Sequence, residues 1–289
     1  MSDYRHVLVH VSDSDRTGRV VSRAASVAAD HGASLLAVHA VEPLHLGAYL
    51  SPETAMTAAS LGQEAERKRT AQAQAVVRTV AVARGLAIDF LSSGGDPVQA
   101  IYARSWVADL VVMGQPDPED HEGPSRRFAS QVLVSAGCPV LFIPDTTPTD
   151  PCGTRILVAW SASRESARAV RDALPLLRRA DAVEVLRFGA DDLGLAGSPD
   201  AVVAYLAAHG VRATATVRPV RDIPFSERLL TPTVVDASIA ELLLSHAADI
   251  DADLIVMGGY GHTRAYELVL GGVTRTLLGS MTVPVLMSH

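Results

Sequence analysis

Cysteine is scarce in this sequence, with only Cys138 and Cys152 among 289 residues. Their spacing excludes a C-x-x-C metal or redox motif and a disulfide-rich secreted fold, so free thiols in a reducing compartment are predicted. Aromatic residues are also few, at 4%, and no basic stretch is interleaved with them. Because the net charge is −7, nucleic-acid binding through phosphate neutralisation is disfavoured.

Long apolar runs are missing too. None reaches the roughly 18 residues of a membrane span, and no leader-like segment precedes the first apolar stretch. The sequence therefore predicts a cytoplasmic protein without a membrane partner. None of the histidines lies in an H-E-x-x-H pattern or beside a cysteine pair, so no metal site is predicted. No G-x-S-x-G turn and no Ser/His/Asp set is identified, so no catalytic residue is predicted.

An internal repeat organises the chain. Three segments of the first half recur in the same order about 145 positions later. They are 7–12 with 156–161, 108–114 with 252–258, and 138–143 with 283–288. A Pro/Thr/Asp stretch separates the copies and cannot continue a helix or strand. We predict one domain over 1–144, a linker over 145–152 and a second domain over 153–289.

Within each half, short apolar strands alternate with segments of helical period. Strands are expected near 154–160, 181–188, 211–217, 253–257 and 283–287. Helices are expected near 52–84, 163–179, 198–209, 234–248 and 271–280, with Pro175 kinking or shortening its helix. This alternation predicts an α/β protein with two tandem domains. Each is a doubly wound, mainly parallel five-stranded sheet with helices on both faces.

A glycine loop follows the fourth strand of the second half. Gly258, Gly261 and Gly271 have the spacing G-x2-G-x9-G between a strand and a helix. Backbone N–H groups in such a loop can converge on an anion, because no Cβ blocks the approach. The pattern is neither a Walker loop nor a G-x-G-x-x-G fingerprint. It indicates a phosphate group, and hence a nucleotide.

These residues and the repeat resemble a tandem universal stress protein. In the ATP-binding branch of that family, Ser or Thr follows the last glycine, where this chain has Gly272. The resemblance implies that the amides of Gly272 and Val273 face phosphate and that Thr274 is a candidate replacement hydroxyl. Ser12 and Ser161 stand where the family often has Asp at the end of the first strand. Both departures predict weak binding.

Two aromatic residues at strand ends are candidates for the base pocket. Trp160 is at the right place to stack on an adenine ring, and the resemblance implies that Phe188 lines the pocket. Core packing is the alternative for both. In the first half, the acidic segment Gln115–Asp120 replaces the glycine run and Arg126 and Arg127 replace its last glycines. This half is predicted to be ligand-free.

The sequence thus predicts a stress-response protein that binds ATP, ADP or AMP, with or without magnesium, in its second half. A ligand-free interaction module is the alternative, and a slow ATPase is the third. The apolar closing strands are suited to edge pairing. The pairing could join the two halves of one chain as a pseudo-dimer, or two chains as a homodimer; no protein partner can be named.

Overall fold

The computed structural model describes residues 3–40, 52–145, 152–189, 197–219, 232–259 and 272–289. Within these ranges, the first half contains five strands and four helices in alternation. The strands are β1 His6–Val11, β2 Ser34–Ala40, β3 Ile88–Ser93, β4 Leu110–Gly114 and β5 Val140–Ile143. The helices are α1 Thr17–His31, α2 Pro52–Arg84, α3 Pro97–Ser105 and α4 Arg126–Ser135.

The second half repeats this order, except that two consecutive helices follow its first strand. Its strands are β6 Arg155–Ala159, β7 Ala182–Phe188, β8 Thr214–Arg218, β9 Leu254–Gly258 and β10 Val285–Ser288. Its helices are α5 Arg164–Asp172, α6 Leu174–Leu177, α7 Pro199–Ala208, α8 Pro232–Asp249 and α9 Gly272–Ser280. The predicted α/β fold and its alternation of strands and helices are confirmed.

All ten of these strands form one sheet in the order β3-β2-β1-β4-β5-β10-β9-β6-β7-β8. Within each half the strands are parallel, and the order reverses between β1 and β4 and between β6 and β9. The halves join where β5 and β10 pair antiparallel, with Leu141 opposite Leu286. The edge pairing predicted for the closing strands is therefore satisfied within the chain, and β3 and β8 are the outer strands.

The helices cover both faces of the sheet because the strands are apolar on both sides. On one face, which we call the α1 face, residues of α1, α2, α5, α6 and α7 pack in one continuous core. On the other, the α4 face, residues of α3, α4, α8 and α9 form a second core. Each core runs across both halves, so the junction is buried like the interior of a single domain.

Two predicted elements differ from the structure in ways that have a local cause. The helix expected over 163–179 ends at Asp172 and a short second helix carries Pro175 in its first turn, as the proline predicts. The strand expected from 211 begins at Thr214. Gly210 has a φ of 79° and the N–H of Val211 donates to the Leu206 carbonyl at 2.9 Å. Residues 210–211 therefore end α7 rather than begin a strand.

The repeated Ala-Asp-Leu motif has a structural role at the amino ends of the strands. The Asp253 carboxylate accepts the backbone N–H groups of Gly153, Thr154 and Arg155 at 2.9, 3.0 and 3.0 Å. The Asp109 carboxylate accepts those of Arg5 and His6 at 2.7 and 2.9 Å. In each half this aspartate therefore holds, by hydrogen bonds, the segment at the start of the first strand.

Candidate functional site

The carboxyl ends of four neighbouring strands meet at one edge of the second half. Ala159 of β6 pairs with Met257 of β9, and Ser288 of β10 pairs with Gly258. The N–H of Trp160 donates to the Leu186 carbonyl of β7 at 2.8 Å. Since strand order reverses between β6 and β9, this is the position where doubly wound sheets bind ligands.

Gly258 lies against the first turn of α5. A Cβ at this position would stand 2.5 Å from the Ser166 nitrogen and 2.7 Å from the Glu165 carbonyl carbon. The backbone of α5 can approach the end of β9 this closely only because residue 258 has no side chain. Helix packing is thus a sufficient reason for glycine at Gly258.

The start of α5 is closed by its own side chains. Ser163 is the N-cap, and its hydroxyl accepts the Ser166 N–H at 3.1 Å while the Ser166 hydroxyl accepts the Ser163 N–H at 3.0 Å. Ser161 is exposed and its hydroxyl donates to that of Ser163 at 3.2 Å. This reciprocal capping box uses donors that would otherwise be available to an anion.

A buried carboxylate occupies the same turn. Burial alone would raise the pKa of Glu165, but hydrogen bonds from its own backbone N–H and from Ser163, and the charge of Arg164, hold the pKa below its usual value. Arg164 contacts the carboxylate at 3.1 Å. The first turn of α5 therefore holds a negative charge of the protein itself, which disfavours a phosphate there.

The start of α9 is the other helix terminus at this edge. The helix begins at Gly272, with Gly272 and Val273 half-buried and Thr274 buried. Val273 packs against the core of the α4 face. Gly261 and Gly271 lie outside the described residues, so the geometry of the loop that leads into α9 is not described.

The two candidate aromatic side chains lie on different faces of the sheet. Trp160 packs against the core of the α1 face, and its indole N–H donates to the Gly197 carbonyl at 3.0 Å. Phe188 packs against the core of the α4 face, which is also the face of α9. One planar base cannot stack on both rings, and Phe188 is the one on the side of Val273.

In the first half, the acidic loop folds back onto the start of α1. Arg16 contacts the carboxylate of Asp117 at 2.7 Å and that of Asp120 at 3.9 Å, and it also pairs with Asp145. The Ser14 hydroxyl donates to Asp120 at 2.6 Å. Hydrogen bonds from the Glu119 N–H and from Arg16 lower the pKa of Asp117. This network occupies the edge that corresponds to the candidate site.

The remaining first-half candidates are explained by their surroundings. Ser12 and Thr17 hydroxyls lie 2.8 Å apart, which closes the turn after β1. Arg126 and Arg127 are exposed in the first turn of α4. Gln115 spans the junction, since its amide donates to the Leu278 carbonyl at 2.9 Å.

Sequence reasoning did not identify the Glu165 carboxylate or the Arg16 network. A Ser-x-x-Ser pattern at Ser163 signals a cap, but no sequence pattern shows that the next carboxylate turns inward. Arg16 and Asp117 are far apart in the sequence, and only the topology joins them. Both cysteines are half-buried and neither forms a disulfide, as predicted, and burial raises the pKa of Cys138 to about 12.

Within the described ranges, no group of three or more His, Cys, Asp or Glu side chains could hold a metal ion. None of the helices in the described part of the chain has the length and hydrophobicity of a membrane span.

Comparisons with known proteins agree with this architecture. A universal stress protein from Archaeoglobus fulgidus DSM 4304 superposes with a TM-score of 0.72 at 14% identity, covering 98% of this chain and 97% of that one. A functionally unknown protein from Pseudomonas aeruginosa PAO1 superposes with a TM-score of 0.58 at 17% identity, covering 99% and 92%. At these identities the likeness shows the fold alone.

A comparison with curated proteins finds no match. The profile of the Universal stress protein family, in contrast, matches the chain twice, over residues 3–144 and 154–289. The two matches follow the internal repeat and together cover almost the whole chain. The chain therefore belongs to the universal stress protein family, with one family match in each half.

Proposed function

We propose that this protein binds an adenine nucleotide weakly in its second half and performs little or no catalysis. The observation that supports this most is the start of α9 beside the end of β9, where strand order reverses. The first N–H groups of a helix have no partner inside the helix, and the helix dipole favours a nearby anion by about 0.3–1 kcal/mol. Phosphate bound by the amides of Gly272, Val273 and Thr274 would use both effects.

The base is expected on the α4 face of the sheet. Phe188 and Val273 both contact the core of that face, so an adenine ring over Phe188 lies on the same side as phosphate at α9. Trp160 is on the opposite face and its N–H is already engaged. We therefore favour Phe188 over Trp160 as the stacking residue. Ser161 is expected to contact the ribose or solvent.

Weak affinity follows from the residue that begins α9. Gly272 has no hydroxyl to donate to phosphate, and a hydrogen bond to a charged group contributes about 1.5–3 kcal/mol. Its loss weakens binding roughly 10- to 150-fold. A nucleotide that would otherwise bind at about 10 μM is then expected to bind at about 0.1–1.5 mM.

Catalysis is disfavoured by the groups beside this site. Hydrolysis needs a positioned water together with a base or a metal ligand. Ser161 lies two residues beyond β6, and the nearby Glu165 carboxylate is engaged by Arg164 and the cap of α5. These residues do not fit a magnesium ion, so magnesium would arrive only on the nucleotide phosphates.

The second candidate function is a ligand-free interaction module. It is favoured by the self-capped start of α5 and by the Arg16 network, which leave fewer donors for a ligand. Since β5 and β10 already pair with each other, a partner chain or second copy would have to use another surface, such as the outer strands β3 and β8. A slow ATPase is the third candidate.

A calorimetric titration with ATP, with and without magnesium and up to several millimolar, tests the proposal. We expect saturable binding of one nucleotide per chain, lost in the Gly261→Asp variant. The Gly272→Ser variant should bind about 10- to 150-fold more tightly, because it restores the missing hydroxyl. Arg127→Ser, at the corresponding place in the first half, is the matched control and should bind like the parent protein.

No binding by the parent protein and none by Gly272→Ser would reject the nucleotide proposal and favour the interaction module. Binding that changes equally in Gly272→Ser and Arg127→Ser would place the ligand elsewhere. Steady release of phosphate from ATP by the parent protein, absent in Gly261→Asp, would instead support the ATPase.

A further inference from the structure

Three polar side chains from distant parts of the first half converge on the α1 face of the sheet. His39 lies near the carboxyl end of β2, Asp13 follows β1, and Ser92 lies near the end of β3. The His39 Nε2 is 2.9 Å from an Asp13 carboxylate oxygen, and its Nδ1 is 3.4 Å from the Ser92 hydroxyl. An acid, an imidazole and a hydroxyl are thus connected in the order of a nucleophilic triad.

The surroundings fix the orientation of the imidazole. His39 is 1% exposed, and the ring of Phe90 stacks on it with centroids 6.3 Å apart. Because a carboxylate only accepts, the hydrogen bond to Asp13 puts the proton of neutral His39 on Nε2 and leaves Nδ1 as an acceptor. Arg69 places a positive charge 3.6 Å from the same carboxylate. Because Nε2 carries the proton, the unprotonated Nδ1 is the nitrogen that faces Ser92.

Ser92, unlike His39, is exposed. Its hydroxyl also lies 3.2 Å from that of Thr70 on α2. Thr70 lines a groove of about 410 Å³ whose other residues are Gln63, Glu66, Arg67, Ala71 and Gln74. Ser92 is not itself a lining residue, and the Thr70 hydroxyl is the contact that connects it to this groove. A separation of 3.4 Å between nucleophile and base is usual for an unliganded site, where such bonds tighten when substrate binds.

We propose that Ser92 is a nucleophile for carboxylic esters of a polar alcohol. His39 is its general base, and Asp13 is a positioning residue that fixes the tautomer of His39. The groove suits a polar leaving group, because amide side chains and one charge of each sign line it. This site belongs to the first half and is independent of the nucleotide proposal.

The reaction has two balanced steps. Ser92 Oγ bonds to the acyl carbon as its proton passes to His39 Nδ1, and the ester C–O bond breaks as the alkoxide takes that proton. Water then attacks the acyl-serine, giving a proton to His39 that returns to Ser92 Oγ as the acid leaves. The Thr70 hydroxyl is a donor beside the carbonyl oxygen in both steps.

The test uses the full chain with two probes, a fluorophosphonate and p-nitrophenyl acetate. We expect one fluorophosphonate adduct per chain on the peptide that contains Ser92, and a burst of p-nitrophenol followed by slow turnover. Ser92→Ala should abolish both signals, whereas Ser93→Ala, the adjacent hydroxyl, should keep them. Since Ser92 is exposed, its alanine variant is expected to fold like the parent, as urea unfolding would verify.

Variants of the other two residues separate a chemical role from a structural one. His39→Gln should lower the rate of acylation about 10²- to 10⁴-fold. Asp13→Asn should lower that rate and displace the pH–rate profile, because the amide no longer fixes the tautomer. The absence of an adduct in the parent protein, an adduct that persists in Ser92→Ala, or an unchanged pH profile in Asp13→Asn would each overturn the assignment.

Discussion

A methyl group added at Gly258 should destabilise the protein because of the close approach of α5. The new Cβ would lie 2.5 Å from the Ser166 nitrogen and 2.9 Å from the Glu165 Cβ, so the helix start or the strand end must move. Overpacking of this kind costs about 1–3 kcal/mol. A value near the upper end of that range is expected because the new Cβ meets backbone atoms. Replacing glycine with alanine also restricts the unfolded chain, which offsets about 0.4–1 kcal/mol. The net loss expected for Gly258→Ala is therefore about 2 kcal/mol.

The repeat supplies a matched control. At Gly114, the corresponding position of the first half, an added Cβ would meet only side chains at ordinary contact distance, Val20 at 3.4 Å and the Pro124 ring at 3.9 Å. Gly114→Ala should therefore change the free energy of unfolding by less than about 1 kcal/mol. Urea unfolding followed by circular dichroism measures both variants. With an m-value of about 3 kcal/mol/M, Gly258→Ala should lower the midpoint by roughly 0.7 M.

Equal midpoints for the two alanine variants would refute the packing explanation for Gly258. The same variants also separate packing from ligand contact. If Gly258→Ala folds at low temperature and binds ATP with the affinity of the parent protein, the glycine serves the helix and not the nucleotide.

Three further predictions concern other parts of the molecule. Burial lowers the pKa of His10 to about 4, so between that value and about 6.5 the unfolded chain binds more protons and stability decreases as the pH is lowered, by on the order of 3 kcal/mol in total. His10→Leu should make this dependence shallower in urea unfolding at pH 7.5 and 5, and an unchanged dependence would contradict the assignment. Arg16→Gln should speed hydrogen exchange at Gly123, whose N–H is held by Asp120 at 3.0 Å, without changing exchange in β10; equal exchange in both proteins would argue against the network. Leu286→Ala should cost about 2–5 kcal/mol, because Leu286 is fully buried at the junction of the halves; thermal unfolding measures this loss, and a change in Tm of less than about 2 °C would be inconsistent with it.

Most of the fold could be predicted from the sequence because local signals agree with the final arrangement. The repeat predicted two similar halves, and the helix expected near 52–84 is Pro52–Arg84 in the structure. Pro175 and Gly210 mark breaks in their elements, although the strand expected from 211, directly after Gly210, begins at Thr214. The pairing of β5 with β10 was one of two possibilities left open, since apolar closing strands do not specify which strand they pair with.

The candidate site was less predictable than the fold. A glycine can allow close approach either of a ligand or of a neighbouring backbone segment. The sequence spacing at Gly258 does not distinguish these two roles. The inward carboxylate of Glu165 and the contacts of Arg16 depend on which segments meet in space. His39 and Ser92 likewise come together through strand order, 53 positions apart in the sequence. The role of Gly261 and Gly271 stays a prediction.

The antiparallel contact of β5 with β10 has an evolutionary consequence. In a symmetric dimer of identical chains, every substitution appears on both sides of the interface. Here both strands belong to one chain, so the association is intramolecular and does not depend on protein concentration. Each half can then accumulate its own substitutions while the other preserves the ancestral pattern. The salt-linked loop of one half and the glycine-rich loop of the other are the outcome expected when duplicated domains are freed from symmetry.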